Sequence, residues 1–166
     1  MATMDNLAEA FAGESQANRK YLAFAKKAEA DGYPGIAKLF RAAAEAETIH
    51  AHAHLDVMGG VRSTPDNLEA AIYGEAAEFE SMYPGFVSEA EREGNKDAVT
   101  SFKNALAVEE IHHGLYTEAL NLLKSGKDFQ QAPIFVCGVC GNTVIGVAPD
   151  KCPICGSPKK KFSEIR

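Results

Sequence analysis

All four cysteines of the chain fall in two C-x-x-C pairs near its end, Cys137 with Cys140 and Cys152 with Cys155. Thiolates at that spacing close around a single metal ion. Zinc there would be a structural tie, and iron would be a one-electron carrier. Eleven residues separate the pairs, and they do not choose between the two metals. A second set of ligand types lies upstream, where Glu47-x-x-His50 is matched by Glu109-x-x-His112. Residues three apart share one face of a helix, so each pair offers an oxygen and a nitrogen to the same point. Two further glutamates, Glu14 and Glu75, precede these pairs by 33 and 34 residues, as if one helical hairpin had been used twice. Carboxylate and imidazole ligands with open positions suit iron or manganese.

These residues need four helices to carry them, and the punctuation of the chain supplies four. Breaks fall at Asp31-Gly32-Tyr33-Pro34-Gly35, from Gly59-Gly60 to Pro65, at Gly94-Asn95 and at Ser125-Gly126. The segments between them, about 4–30, 35–58, 65–93 and 96–125, are rich in Ala, Glu, Leu and Lys, good helix formers. Thr64 before Pro65 reads as the N-cap of the third. Pro84, inside that third segment, should kink it or end it early.

Each segment carries a stripe with 3/4 spacing. The first runs Leu7, Phe11, Glu14, Asn18, Tyr21, Ala25, and the second Ile36, Leu39, Ala43, Glu47, His50, His54, Val57. The third includes Leu68, Ile72, Glu75, Glu78, Phe79, Met82 and Phe86. The fourth includes Phe102, Leu106, Glu109, His112, Tyr116 and Leu120. The expected fold is therefore a mainly α four-helix bundle. A lone glutamate in such a stripe is usually an edge residue reaching water. Here all four stripes are apolar at their ends and acidic in the middle, and buried carboxylates must pair, bind metal or become protonated. Glu78 adds one more carboxylate to the third stripe. His54 reads as a neighbour of the ligands or a surface group, and Tyr21, Tyr83 and Tyr116 as core tyrosines whose hydroxyls need partners.

The bulk properties exclude several classes. The net charge of −6 comes from the first 128 residues, with 12 basic against 21 acidic, while the remainder holds 5 against 2. No basic face suited to nucleic acid follows from this. No apolar run approaches the ~18 residues of a membrane helix, and no secretory leader is visible at the start. Cysteines confined to metal-type pairs point to the cytoplasm. Phosphate-binding, dinucleotide and nucleophile-elbow motifs are missing.

FAGESQA around Glu14, EAETIH ending at His50, YGEAAEFESMYP from Tyr73 to Pro84, and AVEEIHHGLY around Glu109 resemble, in order, the segments of the rubrerythrin family. CGVCG and CPICG resemble that family's rubredoxin-like module. The resemblance implies a ferritin-like di-iron domain over residues 1–128 and a rubredoxin-like iron domain over 132–166. It implies di-iron ligands at Glu14, Glu47, His50, Glu75, Glu78, Glu109 and His112, and a four-thiolate iron on Cys137, Cys140, Cys152 and Cys155. The implied activity is reduction of hydrogen peroxide to water, with electrons supplied by a rubredoxin or an NAD(P)H-dependent reductase. A ferroxidase, or a helical scaffold with a zinc ribbon, are the competing readings.

The family arrangement also makes the second and third helices parallel. From Met58 to Pro65 the chain would then climb roughly 31 Å along the helix axis. Its seven residue steps reach only about 24 Å when fully extended. The expectation is a homodimer in which the first two helices of one chain join the last two of another.

Overall fold

The computed structural model describes residues 2–129 and 131–166. Its helices are α1 (Ala2–Ala30), α2 (Pro34–Val57), α3 (Thr64–Ala77), α4 (Tyr83–Glu93) and α5 (Lys96–Lys124), with a π-helical turn over Glu78–Met82 between α3 and α4. A small antiparallel sheet follows, built from β1 (Ile134–Cys137), β2 (Thr143–Ile145) and β3 (Phe162–Ile165) in the order β2-β1-β3. The expected mainly α fold with a small cysteine-bearing module is what forms. The chain divides into two compact units, Met1–Arg62 and Ser63–Arg166.

The first unit is the hairpin of α1 and α2. Asn18 sets its register. This buried side chain on α1 donates from Nδ2 to the Ala44 carbonyl at 2.7 Å and to Thr48 Oγ1 at 2.8 Å, both on α2. Around it the buried positions are alanines, Ala25, Ala28, Ala37, Ala44 and Ala51, which let the two helices approach closely. The larger apolar residues of the α2 stripe are not covered as the periodicity suggests. Ile36, Leu39 and Val57 remain 49%, 70% and 69% exposed. Two helices can bury only the seam between them, so this second apolar face has no partner inside the hairpin.

In the second unit α3, the π turn and α4 together lie along α5. The cap of α3 is Ser63 rather than Thr64. Ser63 is extended and its side chain accepts from the Asp66 N–H, while Thr64 and Pro65 already belong to the helix. The α-helix that Pro84 is expected to kink or shorten is interrupted just before it. Pro84 sits in the first turn of α4, and the turn before it is widened, with the Tyr83 N–H bonded to the Glu78 carbonyl five residues back. A proline ring clashes with the carbonyl four residues before it and offers no N–H. The wider turn absorbs both defects where an α turn cannot. α4 then ends at Gly94 in the left-handed region, φ 71°, and Asn95 caps α5 by accepting from the Ala98 N–H at 3.1 Å.

Asn18→Ala is expected to lower the unfolding free energy by about 1–3 kcal/mol, since it removes both hydrogen bonds that Asn18 donates across the helix seam. Thermal or denaturant unfolding of the variant checks this. A change below about 0.5 kcal/mol would show that Asn18 does not hold the hairpin.

Candidate metal centres

Each unit gathers one glutamate from one helix with an E-x-x-H pair from another. In the hairpin, Glu14 of α1 meets Glu47 and His50 of α2, with one ligand atom from each lying within 4.8 Å of the others. His50 Nδ1 is 3.1 Å from Glu47 Oε2 and 4.0 Å from Glu14 Oε1. In the second unit Glu75 of α3 meets Glu109 and His112 of α5 within the same limit. There His112 Nδ1 is 2.9 Å from Glu109 Oε2 and 3.7 Å from Glu75 Oε1. The two triads are near copies, as expected if one hairpin design is used twice.

The triads differ in exposure. The side chains of His112, Glu75 and Glu109 are 27%, 18% and 17% exposed, against 55% for His50. The electrostatics follow burial. Loss of solvent, then the Glu109 charge and a hydrogen bond shared with Glu109, push the Glu75 carboxyl up to about 7. Glu78 is also raised, by burial and then by Glu109, with His112 opposing. Burial, then Glu109, Glu78 and Glu75, raise the Tyr83 hydroxyl. Glu78 stands at the first position of the π turn, close enough to feel these charges but outside the tight triad.

Carboxylates that converge, repel each other and force one to keep a proton suit a cation. A divalent ion at their meeting point would remove the repulsion and the proton together. Two carboxylates and an imidazole are also a donor set for iron or manganese.

The four cysteines make a third cluster, free of disulfides. Cys137 and Cys155 sulfurs are 3.7 Å apart, and those of Cys140 and Cys152 are 3.6 Å apart. Metal–sulfur bonds of ~2.3 Å in a tetrahedron require sulfurs about 3.75 Å apart, so the cage already has metal-binding dimensions. Two matching knuckles build it. The Gly141 N–H donates to the Cys137 carbonyl and the Gly156 N–H to the Cys152 carbonyl, with both glycines at positive φ, 85° and 75°. Burial pushes the Cys140 thiol up to about 12. Burial also acts to raise Cys155, but Ser157 and the neighbouring thiols outweigh it and hold Cys155 at about 6. A cage whose thiols disagree this widely shares protons until a metal replaces them.

With these geometries in hand, similarity to known proteins decides the family. A model described as rubrerythrin matches residues 5–120, and one described as the rubrerythrin rubredoxin-like domain matches 135–163. The chain belongs to the rubrerythrin family. Rubrerythrin-2 of Clostridium acetobutylicum is 37% identical, with 96% of this chain and 95% of that protein covered. Nigerythrin of Nitratidesulfovibrio vulgaris is 36% identical over 98% of this chain and 86% of its own length. A solved structure of nigerythrin described as fully reduced, all ferrous, matches with a TM-score of 0.59 at 35% identity, covering 98% of this chain and 86% of that one. As in its family, the fold is a ferritin-like four-helix bundle with a rubredoxin-like module, and the cofactors are a di-iron centre and one four-thiolate iron.

Sequence spacing did not reveal Asn142 and Thr143. Asn142 is 2% exposed, and its Nδ2 lies 3.6 Å from Cys152 Sγ, where it can donate to a thiolate. Thr143 Oγ1 lies 2.9 Å from His112 Nε2. Only the polar types following the C-x-x-C-G knuckle hinted at either. Among the described residues no helix is long and apolar enough to cross a membrane.

The raised Glu75 gives a pH dependence to the metal-free protein. Its folded value lies above the ordinary 4.5, so the protonated form favours folding. That stability is complete below about 4.5 and is lost as pH rises through about 7. Metal-free protein is expected to melt at lower temperature at pH 8 than at pH 5.5, with the slope reduced in Glu75→Gln. Calorimetry across that range checks the sign, and an equal slope in the variant would assign it to other groups.

Proposed function

We propose that this chain is a non-haem di-iron peroxidase that reduces hydrogen peroxide to water and is re-reduced through its own four-thiolate iron. The observation that carries this reading is the pairing, on one chain, of two carboxylate–histidine triads with a preformed four-thiolate cage. An iron pair supplies two electrons when bound, and with two protons these convert one peroxide to two waters. A zinc tie in the cage would leave the pair with no internal source of electrons, which is why the cage is read as a port. The electrons come from a separate donor, a rubredoxin or an NAD(P)H-dependent reductase. The setting is the cytoplasm, with protection against peroxide as the role.

The residues divide the work. In this reading Glu14, Glu47, His50, Glu75, Glu109 and His112 hold the pair, and the four cysteines hold the third iron. The four glutamates of that set balance two ferrous ions. Oxidation adds two positive charges and makes a further carboxylate favourable. Glu78 would supply it, in place of neutral His50. Its position beside the tight triad, and its carboxyl held above the usual range, support a group kept in reserve. A glutamate of the site would relay protons to the departing oxygens.

The complete site needs both units. We infer that the hairpin of one chain joins the helices of a second, giving a domain-swapped homodimer with a helical domain over 1–128 and a rubredoxin-like domain over 132–166. Three observations support it: half of the ligands in each unit, the uncovered Ile36, Leu39 and Val57 of α2, and the short connection from Met58 to Ser63. Sedimentation of the iron-loaded protein is expected to give a dimer. A monomer holding its full iron would contradict the swap.

The function is tested by reducing the iron-loaded protein without oxygen, adding peroxide, and following the thiolate-to-iron absorption. The band is expected to return as two electrons are consumed per peroxide. Glu109→Ala is expected to slow this by at least about 100-fold. Cys140→Ser is expected to spare the first peroxide reduced but abolish sustained turnover with a donor. Reduced protein that leaves peroxide unconsumed would overturn the reading.

A further inference from the structure

His112 has a partner from outside the helices: Thr143 of β2, whose Oγ1 lies 2.9 Å from Nε2. The Thr143 hydroxyl donates its only proton to the Gly141 carbonyl at 3.1 Å. With that proton so placed, Oγ1 accepts from an Nε2–H of His112. Nδ1 faces the point where Glu109 and Glu75 converge, 2.9 and 3.7 Å away, and is also within hydrogen-bonding distance of Glu109 Oε2. The Nε2–H held by Thr143 belongs to the tautomer that presents the Nδ1 lone pair to a metal. The surroundings are largely apolar. Leu115, Tyr116, Ile134 and Ile145 line a cleft of about 320 Å³ with His112 and Thr143. In such a place a hydrogen bond is strengthened.

Thr143 is itself held by the cysteine cage. Gly141 directly follows Cys140, donates to the Cys137 carbonyl, and packs against α5, where an added Cβ would lie in ordinary contact, 3.6 Å from Val108 Cγ1. Val108 is one turn before His112 on that helix. Val136, beside Cys137 in β1, is paired with Thr143 across the sheet. The position of the hydroxyl thus depends on the same knuckle that presents two of the thiolates.

We propose that Thr143 is a positioning residue of the helix-borne metal site, supplied by the cysteine module. It orients His112 for metal binding and ties the affinity of the helices for metal to the folding of the cage. This rests on the reading of Glu75, Glu109 and His112 as ligands but not on peroxide chemistry. An outer partner of a metal-bound histidine holds ring orientation and tautomer, and its loss costs about 10–100-fold in affinity. By linkage, a metal in the cage that orders β2 must tighten the helix site, and the reverse.

The test uses the full-length chain with zinc in the cage and cobalt(II) titrated into the helices. Thr143→Val, which keeps the shape and removes the hydroxyl, is expected to weaken cobalt binding about 10–100-fold. Thr143→Ser is expected to restore it to within about threefold. Nitrogen-15 spectra of the zinc form at pH 8, before cobalt, are expected to show a protected Nε2–H on His112 in wild type and Ser. In Val the tautomer ratio should move by about five- to tenfold. A cobalt–thiolate band unchanged in Val, recorded with cobalt in the cage, shows that the module is folded. Should Val lose that band, the wild-type chain decides: emptying its cage must weaken cobalt binding by the helices, and equal affinity overturns the proposal. Unchanged affinity and tautomer in a folded Val variant overturn it too. A wild-type chain that binds no cobalt outside the cysteines sinks the proposal together with the ligand assignment. Bound cobalt in a protein inert to peroxide sinks only the function.

Discussion

Carboxylates that cannot all stay charged without a cation are the constraint on which this structure turns. Glu75 and Glu109 meet on the inner faces of α3 and α5, half-buried, and one is driven to keep a proton near neutral pH. Nothing in a helical bundle requires such an arrangement. A well-packed apolar pair at the same positions would be at least as stable. The chain keeps the strain because a metal relieves it, and the set at Glu14, Glu47 and His50 repeats the same ligand types.

Much of the remaining architecture can be read as the means of bringing those groups to one level. Asn18 locks α1 against α2 one turn from Glu14, so the hairpin cannot slide without losing two buried hydrogen bonds. Pro84 follows a wide turn that begins at a further carboxylate, Glu78. The cysteine cage has metal-sized dimensions, and its knuckle glycine Gly141 packs against α5. A redox module and a helical site thereby share a contact through Thr143 and His112.

How much was legible follows from the range of each interaction. Glu47 with His50 and Glu109 with His112 gather because three residues make nearly one helical turn, a local rule that a sequence displays directly. The cysteine cage is similarly local, two short pairs on two tight turns. What the spacing could not give was the cover of α2. Ile36, Leu39 and Val57 form a good apolar stripe, yet the hairpin has only one seam to bury. The N-cap moved by one residue because Ser63 and Thr64 are chemically equivalent candidates and only the backbone decides between them. Thr143 was invisible for a different reason: its partner is 31 residues away on another element, and a threonine in a strand is ordinary.

The central claim is that two half-sites, each wholly inside one unit, become one di-iron site when a second chain joins. The direct measurement is complementation between two inactive chains. One carries Glu47→Ala with His50→Ala, and the other Glu109→Ala with His112→Ala. Unfolded together and refolded with iron, a swapped dimer places the intact hairpin of the second chain with the intact helices of the first. The account predicts one complete di-iron site per mixed dimer and recovery of peroxide reduction by the mixture, with neither parent active alone. A mixture that binds no more helix-borne iron than its parents, although mixed dimers form, would contradict it.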